Sequence, residues 1–186
     1  VSDLIAADIS VICVHTTFDA FPQGTNLILA ELLGLEPLRP LSTTPGQTTG
    51  MGLLASCSMT YSRLVERIAE VCGGPVRHCP PPSEAVRIVA IVGGSGISFY
   101  GDVVSSGADV FITADVKYHA FHAASGVIGL VDPGHFEMEQ FVPAGLVTVL
   151  RTAAPNLTFL ESSVVTNPVH YTTSTLQRSI NLSSHP

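Results

Sequence analysis

Basic residues are scarce in this chain. Lys and Arg together number 8 in 186 residues against 15 Asp and Glu, for a formal net charge of -7. Binding to a phosphate backbone draws on clustered cations, so a nucleic-acid partner is not expected. Long apolar runs are also missing. Nothing approaches the roughly 18 consecutive apolar residues of a membrane span, so no membrane association is expected. The sequence does not start with a basic region followed by an apolar core, so no secretory signal is visible. The cysteines Cys13, Cys57, Cys72 and Cys79 are spaced neither as a CxxC zinc knuckle nor as a dense disulfide framework. Cys13 sits in an apolar run and reads as a buried thiol, and a reducing, cytoplasmic setting is the expectation.

Several motifs are absent too. The glycine turn "GGSG" (93–96) lacks the third glycine of a dinucleotide fingerprint and the Gly-Lys-Ser/Thr of a P-loop. It reads as a tight turn with some capacity to cradle an anion. Ser56, Ser58 and Ser95 lie in no nucleophile-elbow pattern, and no Ser/His/Asp triad is apparent.

What is present is apolar. Hydrophobic residues make up 46% of the chain and charged residues 12%, which argues for a compact core and against disorder. The first residues, "VSDLIAAD", read as a helix fragment. "ISVICVH" (9–15) is a continuous apolar run, as in a strand covered on both faces. "GTNLILAELLGL" follows as a helix with Thr25 or Asn26 as cap and Gly34 near its end. Residues 37–52, rich in Pro, Gly and Thr, read as a long loop. A second helix is capped by Ser58 or Thr60, presents Leu64, Ile68 and Val71 on one side, and ends at Gly73–Gly74. Residues 75–85 form a Pro-rich connection. Strand "VRIVAIVG", helix "ISFYGDVVSSG", strand "DVFITA", helix "VKYHAFHAASG" and strand "VIGLVD" then alternate regularly. A longer helix follows, kinked or broken near Pro143, and "LTFLES" reads as a last strand before a polar tail.

The fold class expected is α/β, a mostly parallel or mixed sheet covered by helices. Ligands in such sheets sit beyond the strand carboxyl ends. Three polar exits, His15–Asp19, Thr113–His119 and Pro133–Glu139, would open on that one edge. His135 and Glu139, four apart, would share a helix face with Cβ atoms roughly 5–6 Å apart, close enough for one cation. The plainer reading is that Glu137 and Glu139 complement a helix dipole beside His135. His15 and Asp19 repeat the spacing, although Asp is also a common turn former. His119 and His122 could share a face, or be solvated on an amphipathic helix.

In order and spacing, "VHTTFDAFPQGTNLILAELLGL", "TGMGLL", "AIVGGSG", "GADVFITADVKYHAF", "DPGHFEMEQF" and "VVTNPVHY" resemble the family of GTP cyclohydrolase I type 2 homologues. These are the Ngg-interacting-factor-three-like, dinuclear-metal hexameric proteins. The resemblance implies a metal cleft at the strand carboxyl ends with two divalent ions, whether zinc, iron, nickel, manganese or magnesium. It implies Asp19, His135 and Glu139 as metal ligands, Glu139 bridging, and His15 and His119 lining the cleft as catalytic acid or base. Glu137 is read as a dipole-facing or supporting residue. The family's paired-histidine motif, His-His-Pro, is absent from this sequence. The expectation is therefore a single α/β domain, 1–186, lacking an N-terminal portion and any insert domain, with an incompletely supplied metal site. The function implied is a metal-dependent hydrolase of a nucleotide-like substrate, assembled as a homo-oligomeric, hexameric ring. The alternatives are a non-enzymatic metal-binding assembly or interaction protein, and an α/β domain without metal.

Overall fold

A computed structural model describes residues 1–43 and 50–172. The chain order is α1 (Ser2–Ala6), α2 (Thr16–Asp19), α3 (Thr25–Leu33), β1 (Glu36–Thr43), β2 (Gly50–Ser56), α4 (Tyr61–Cys72), β3 (Arg77–Cys79) and β4 (Ile88–Ile91). A 3-10 turn (Ile97–Phe99) leads into α5 (Tyr100–Ser106), β5 (Val110–Ile112), α6 (Tyr118–Ala124), β6 (Gly129–Asp132), α7 (His135–Glu139) and α8 (Val142–Ala153). The strands form one sheet in the order β1-β2-β4-β5-β6-β3. β4, β5 and β6 run parallel, while β1, β2 and β3 join antiparallel, so the sheet is mixed.

The three parallel strands are apolar on both faces because both faces are covered. Val89, Ile91, Val110, Ile112 and Val131 pack with Leu29 and Leu33 of α3 and Leu64 and Ile68 of α4. Ala90, Phe111 and Leu130 point the other way, toward Val103 of α5 and Ala124 of α6. Alternation of side chains along each strand produces this split. Fully burying a side chain such as Phe111 stabilises by about 1.5–3 kcal/mol. Helix α4 starts where expected: the Thr60 hydroxyl accepts from the Arg63 N–H, and Gly73 closes it at φ 74°. Its outer face carries Arg63, Glu66, Arg67 and Glu70 in exposed ion pairs, which add little to stability. None of the described helices is long and apolar enough to cross a membrane.

Several expectations are corrected. Residues 9–15 are not a strand; Ile9, Val11, Ile12 and Val14 are exposed and Cys13 is an exposed thiol rather than a buried one. Apolar runs report a need for cover, and no described segment pairs with this one. The exit at His15–Asp19 is accordingly the short helix α2 and not a strand end. Within 37–52, read as a loop, lies most of β1 and the start of β2; residues 44–49 fall outside the described residues. Pro37 and Pro40 hid β1, but it is an edge strand, where a missing donor is tolerated. The connection 75–85 contains β3, paired with β6 at the opposite edge. Residues of "LTFLES" form no strand, and Leu157 and Leu160 are exposed. The break expected near Pro143 is present: the long last helix divides into α7 and α8, with Pro143 in the first turn of α8.

Candidate functional site

The carboxyl ends of β4, β5 and β6 deliver the glycine turn 93–96, Asp115 and α7 to one place. Gly134 enters α7 with φ 105°, a conformation open to glycine, and so aims His135 and Glu139 back across the sheet edge. His135 Nε2 stands 3.3 Å from Glu139 Oε1, as the i,i+4 spacing predicts. On the other side of the ring, His135 Nδ1 is 2.7 Å from Asp115 Oδ2. A proton on Nδ1 donated to Asp115 leaves the Nε2 lone pair directed at Glu139. Metal-bound histidines are commonly oriented by such a carboxylate.

Asp19 comes to the same cleft by a different route. Its Oδ1 accepts from the Thr25 hydroxyl at 2.8 Å, and its carbonyl accepts from Asn26 Nδ2 at 2.8 Å. The Asn26 Oδ1 in turn accepts from the Gly93 N–H at 2.8 Å. The buried first turn of α3 therefore ties Asp19 to the glycine turn after β4. That turn is packed against the pair: a Cβ on Gly94 (φ 61°) would lie 2.5 Å from Glu139 Oε1 and 3.1 Å from His135 Nε2. "GGSG" is thus a close approach of backbone to side chains rather than a free anion cradle.

The electrostatics agree with this grouping. Burial raises the Glu139 carboxyl above the usual range; His135 and His15 oppose that shift, and the negative charges of Asp19 and Asp115 add to it. Burial works against a charged His135. The hydrogen bond to Asp115 and the charges of Glu139, Asp115 and Asp19 outweigh it and leave the imidazole above the ordinary histidine value.

Of the residues expected here, Asp19, His15, His135 and Glu139 influence one another. His119 does not join them; it is exposed on α6 with its ring edge-on to Tyr118. Sequence reasoning assigned no role to Asp115, and Asn26 appeared only as a possible helix cap. Asp115 carries one further sign, a φ of 56°, rare for a residue other than glycine. Glu137 is buried and points away from the His135–Glu139 pair, accepting from Asn167 Nδ2 at 3.2 Å.

The donor chemistry, one oriented imidazole with nearby carboxylates, suits a divalent ion. Among the described residues, however, no group of three or more His, Cys, Asp or Glu side chains closes tightly enough to hold one.

The profile of the family described as Duf34/NIF3 (NGG1p interacting factor 3) matches residues 1–168. A protein of Streptococcus pneumoniae called GTP cyclohydrolase 1 type 2 homolog is 33% identical over 180 residues, covering 91% of this chain and 67% of the relative. One of the same name from Streptomyces coelicolor is 33% identical over 150 residues, covering 75% and 52%. The chain thus spans between about half and two thirds of these relatives. Among solved structures, a hypothetical protein of Staphylococcus aureus superposes with a TM-score of 0.81 at 26% identity, covering 92% of this chain and 71% of that one. A Bacillus cereus protein related to NIF3 shares the fold with a TM-score of 0.72 at 20% identity, covering 92% and 76%.

Proposed function

The chain belongs to the Duf34/NIF3 family, and from that premise we propose that the cleft of Asp19, His135 and Glu139 takes up divalent metal and serves hydrolysis of a nucleotide-like substrate. The observation that carries this reading is the Asp115–His135–Glu139 line, in which a carboxylate fixes the imidazole and turns Nε2 toward a second carboxylate. A bound divalent ion would supply Lewis-acid polarisation and a water of lowered pKa. Asp19, His135 and Glu139 would hold such an ion.

The chain's own residues have separate tasks in this reading. Asp115 holds the tautomer and orientation of His135. Thr25 and Asn26 hold Asp19. Gly94 leaves the room that lets Glu139 and His135 face the glycine turn. His15, whose charge acts on Glu139, would serve as the proton carrier at the edge of the cleft. The substrate class follows the printed name of the curated relatives, GTP cyclohydrolase 1 type 2 homolog. Metal-dependent turnover of GTP by the intact protein, abolished in Asp19→Ala and Glu139→Ala, is the expected result. Turnover unchanged by those substitutions would reject the hydrolase reading.

A second reading is supported by a different observation. Residues 9–14 and 157–165 lie in neither helix nor strand and present Val11, Ile12, Leu160, Val164 and Val165 to solvent, a surface suited to subunit association. In this reading the protein is a non-enzymatic, metal-binding homo-oligomer. It predicts a molecular mass in solution several times that of one chain, with no turnover on any nucleotide.

A further inference from the structure

A cavity of about 410 Å³ opens beside His135, on the side of α7 away from Glu139. Its walls are mixed: Pro75, Phe136 and Val169 are apolar, and Glu137, Asn167 and Tyr171 bring polar atoms to it. Sites of this size and make-up are typical for small ligands, with few polar groups fixing orientation.

Glu137 is the unexplained member. Only 7% of it is exposed, yet among the described residues it forms no ion pair. Arg77, which also lines the cavity, is engaged by Asp132, and Asp132 also accepts from the Val116 and Gly134 N–H groups. Among the described residues the hydrogen-bond partners of Glu137 are neutral: Asn167 Nδ2 donates to Oε1, and the Tyr171 hydroxyl faces the same carboxylate. Burial and the charge of Glu137 together keep the Tyr171 proton in place, so that hydroxyl is a donor. An ionised carboxylate has about four acceptor positions. The neutral donors leave acceptor capacity facing a cavity whose lining carries more acidic than basic groups. Each carboxylate oxygen can accept more than one hydrogen bond, so the existing partners do not exhaust it.

We propose that this cavity binds the planar base of the substrate through its N–H edge, with the Glu137 carboxylate accepting from a ring N–H and an adjacent exocyclic amine. That pair of donors is the 2-aminopyrimidin-4-one edge of guanine; adenine has no such pair, and hypoxanthine has only half of it. Phe136 provides an aromatic surface for the ring. Tyr171 and Asn167 hold the carboxylate in one orientation, so both are positioning residues. The position next to His135 puts a base bound here alongside the candidate metal cleft. The inference rests on the GTP-like substrate class proposed above, and it adds the cavity and the group that read the base.

The test is calorimetric titration of the intact chain with guanosine, inosine and adenosine in the presence of EDTA. Guanosine is expected to bind at least about tenfold tighter than inosine, one lost bidentate contact, and adenosine weaker still. Glu137→Gln should weaken guanosine by about tenfold or more and erase the preference, and Tyr171→Phe should weaken it less. Equal affinity for the three nucleosides, no binding of any, or unchanged guanosine affinity in Glu137→Gln would overturn the proposal. If Glu137→Gln does not fold, the comparison of nucleosides on the unmodified chain still decides. Metal uptake is measured separately on the same preparations. Uptake without guanosine preference defeats this inference alone, and guanosine preference without uptake defeats only the metal reading.

Discussion

Asp115 Oδ2 lies 2.7 Å from His135 Nδ1, and Asp115 reaches that position from a left-handed backbone with φ 56°. Such a conformation costs about 1–3 kcal/mol and persists where the surroundings impose it. Here it falls directly after β5 and brings a carboxylate to the ring that opens α7. Asp115→Asn keeps a residue that tolerates this backbone and removes the charge that holds the imidazole. Zinc or manganese affinity, measured by chelator competition, should drop by about 10–100-fold, with the thermal midpoint little changed.

Gly94 is the second point at which geometry leaves no slack. Gly94→Ala sets a Cβ 2.5 Å from Glu139 Oε1 on a backbone of positive φ. The glutamate must move, and the substitution should destabilise by about 1 kcal/mol or more. Urea denaturation checks the stability, and metal titration should show a parallel loss of affinity.

Asn26 joins two segments that are distant in sequence. Asn26→Ala removes one bond to the Asp19 carbonyl and one from the Gly93 N–H, both part-buried. Leaving those groups unpaired costs about 1–3 kcal/mol each unless water enters. Equilibrium unfolding should show a loss of about 2 kcal/mol or more. Asn26→Asp, which restores one acceptor but no donor, should recover only part of it.

The buried thiol of Cys72 gives a pH signature. Burial, assisted by the charge of Glu137, pushes it up to about 12. An unfolded thiol ionises near pH ~8.5. The folded value is raised and folding favours the neutral form, so the contribution is intact below the unfolded value and is lost as pH rises above it toward the folded one. Unfolding free energy should therefore fall on the alkaline side, with a shallower slope in Cys72→Ala. Alkylation in the folded state should mark exposed Cys13 first and leave Cys72 untouched.

The sequence made the middle of the fold readable because its signals there are local. Thr60 and Gly73 bracket α4, and the short apolar runs that become β4, β5 and β6 alternate with helices. β1 was hidden because Pro37 and Pro40 resemble loop residues, and only its place at the sheet edge makes them acceptable. The run 9–15 misled in the opposite direction: its apolar side chains resemble a covered strand, yet pattern cannot say what covers them. In the site, the four-residue spacing of His135 and Glu139 and the family resemblance pointed to the pair. The Asp115 link could not be seen among the polar residues of "TADVKYH", since its meaning depends on one backbone angle and a contact 20 positions away. The Asn26–Gly93 bond spans 67 positions and has no sequence signal at all.

The central claim is that His135 and Glu139, with Asp19 beside them, form the metal-binding part of this chain. Its most direct test is elemental analysis of the purified chain after dialysis against micromolar zinc or manganese, beside His135→Ala and Glu139→Gln. The account predicts stoichiometric metal in the unmodified chain and loss of it in both variants, each still folded by circular dichroism. Equal metal content in all of them, or none in the unmodified chain, would contradict it.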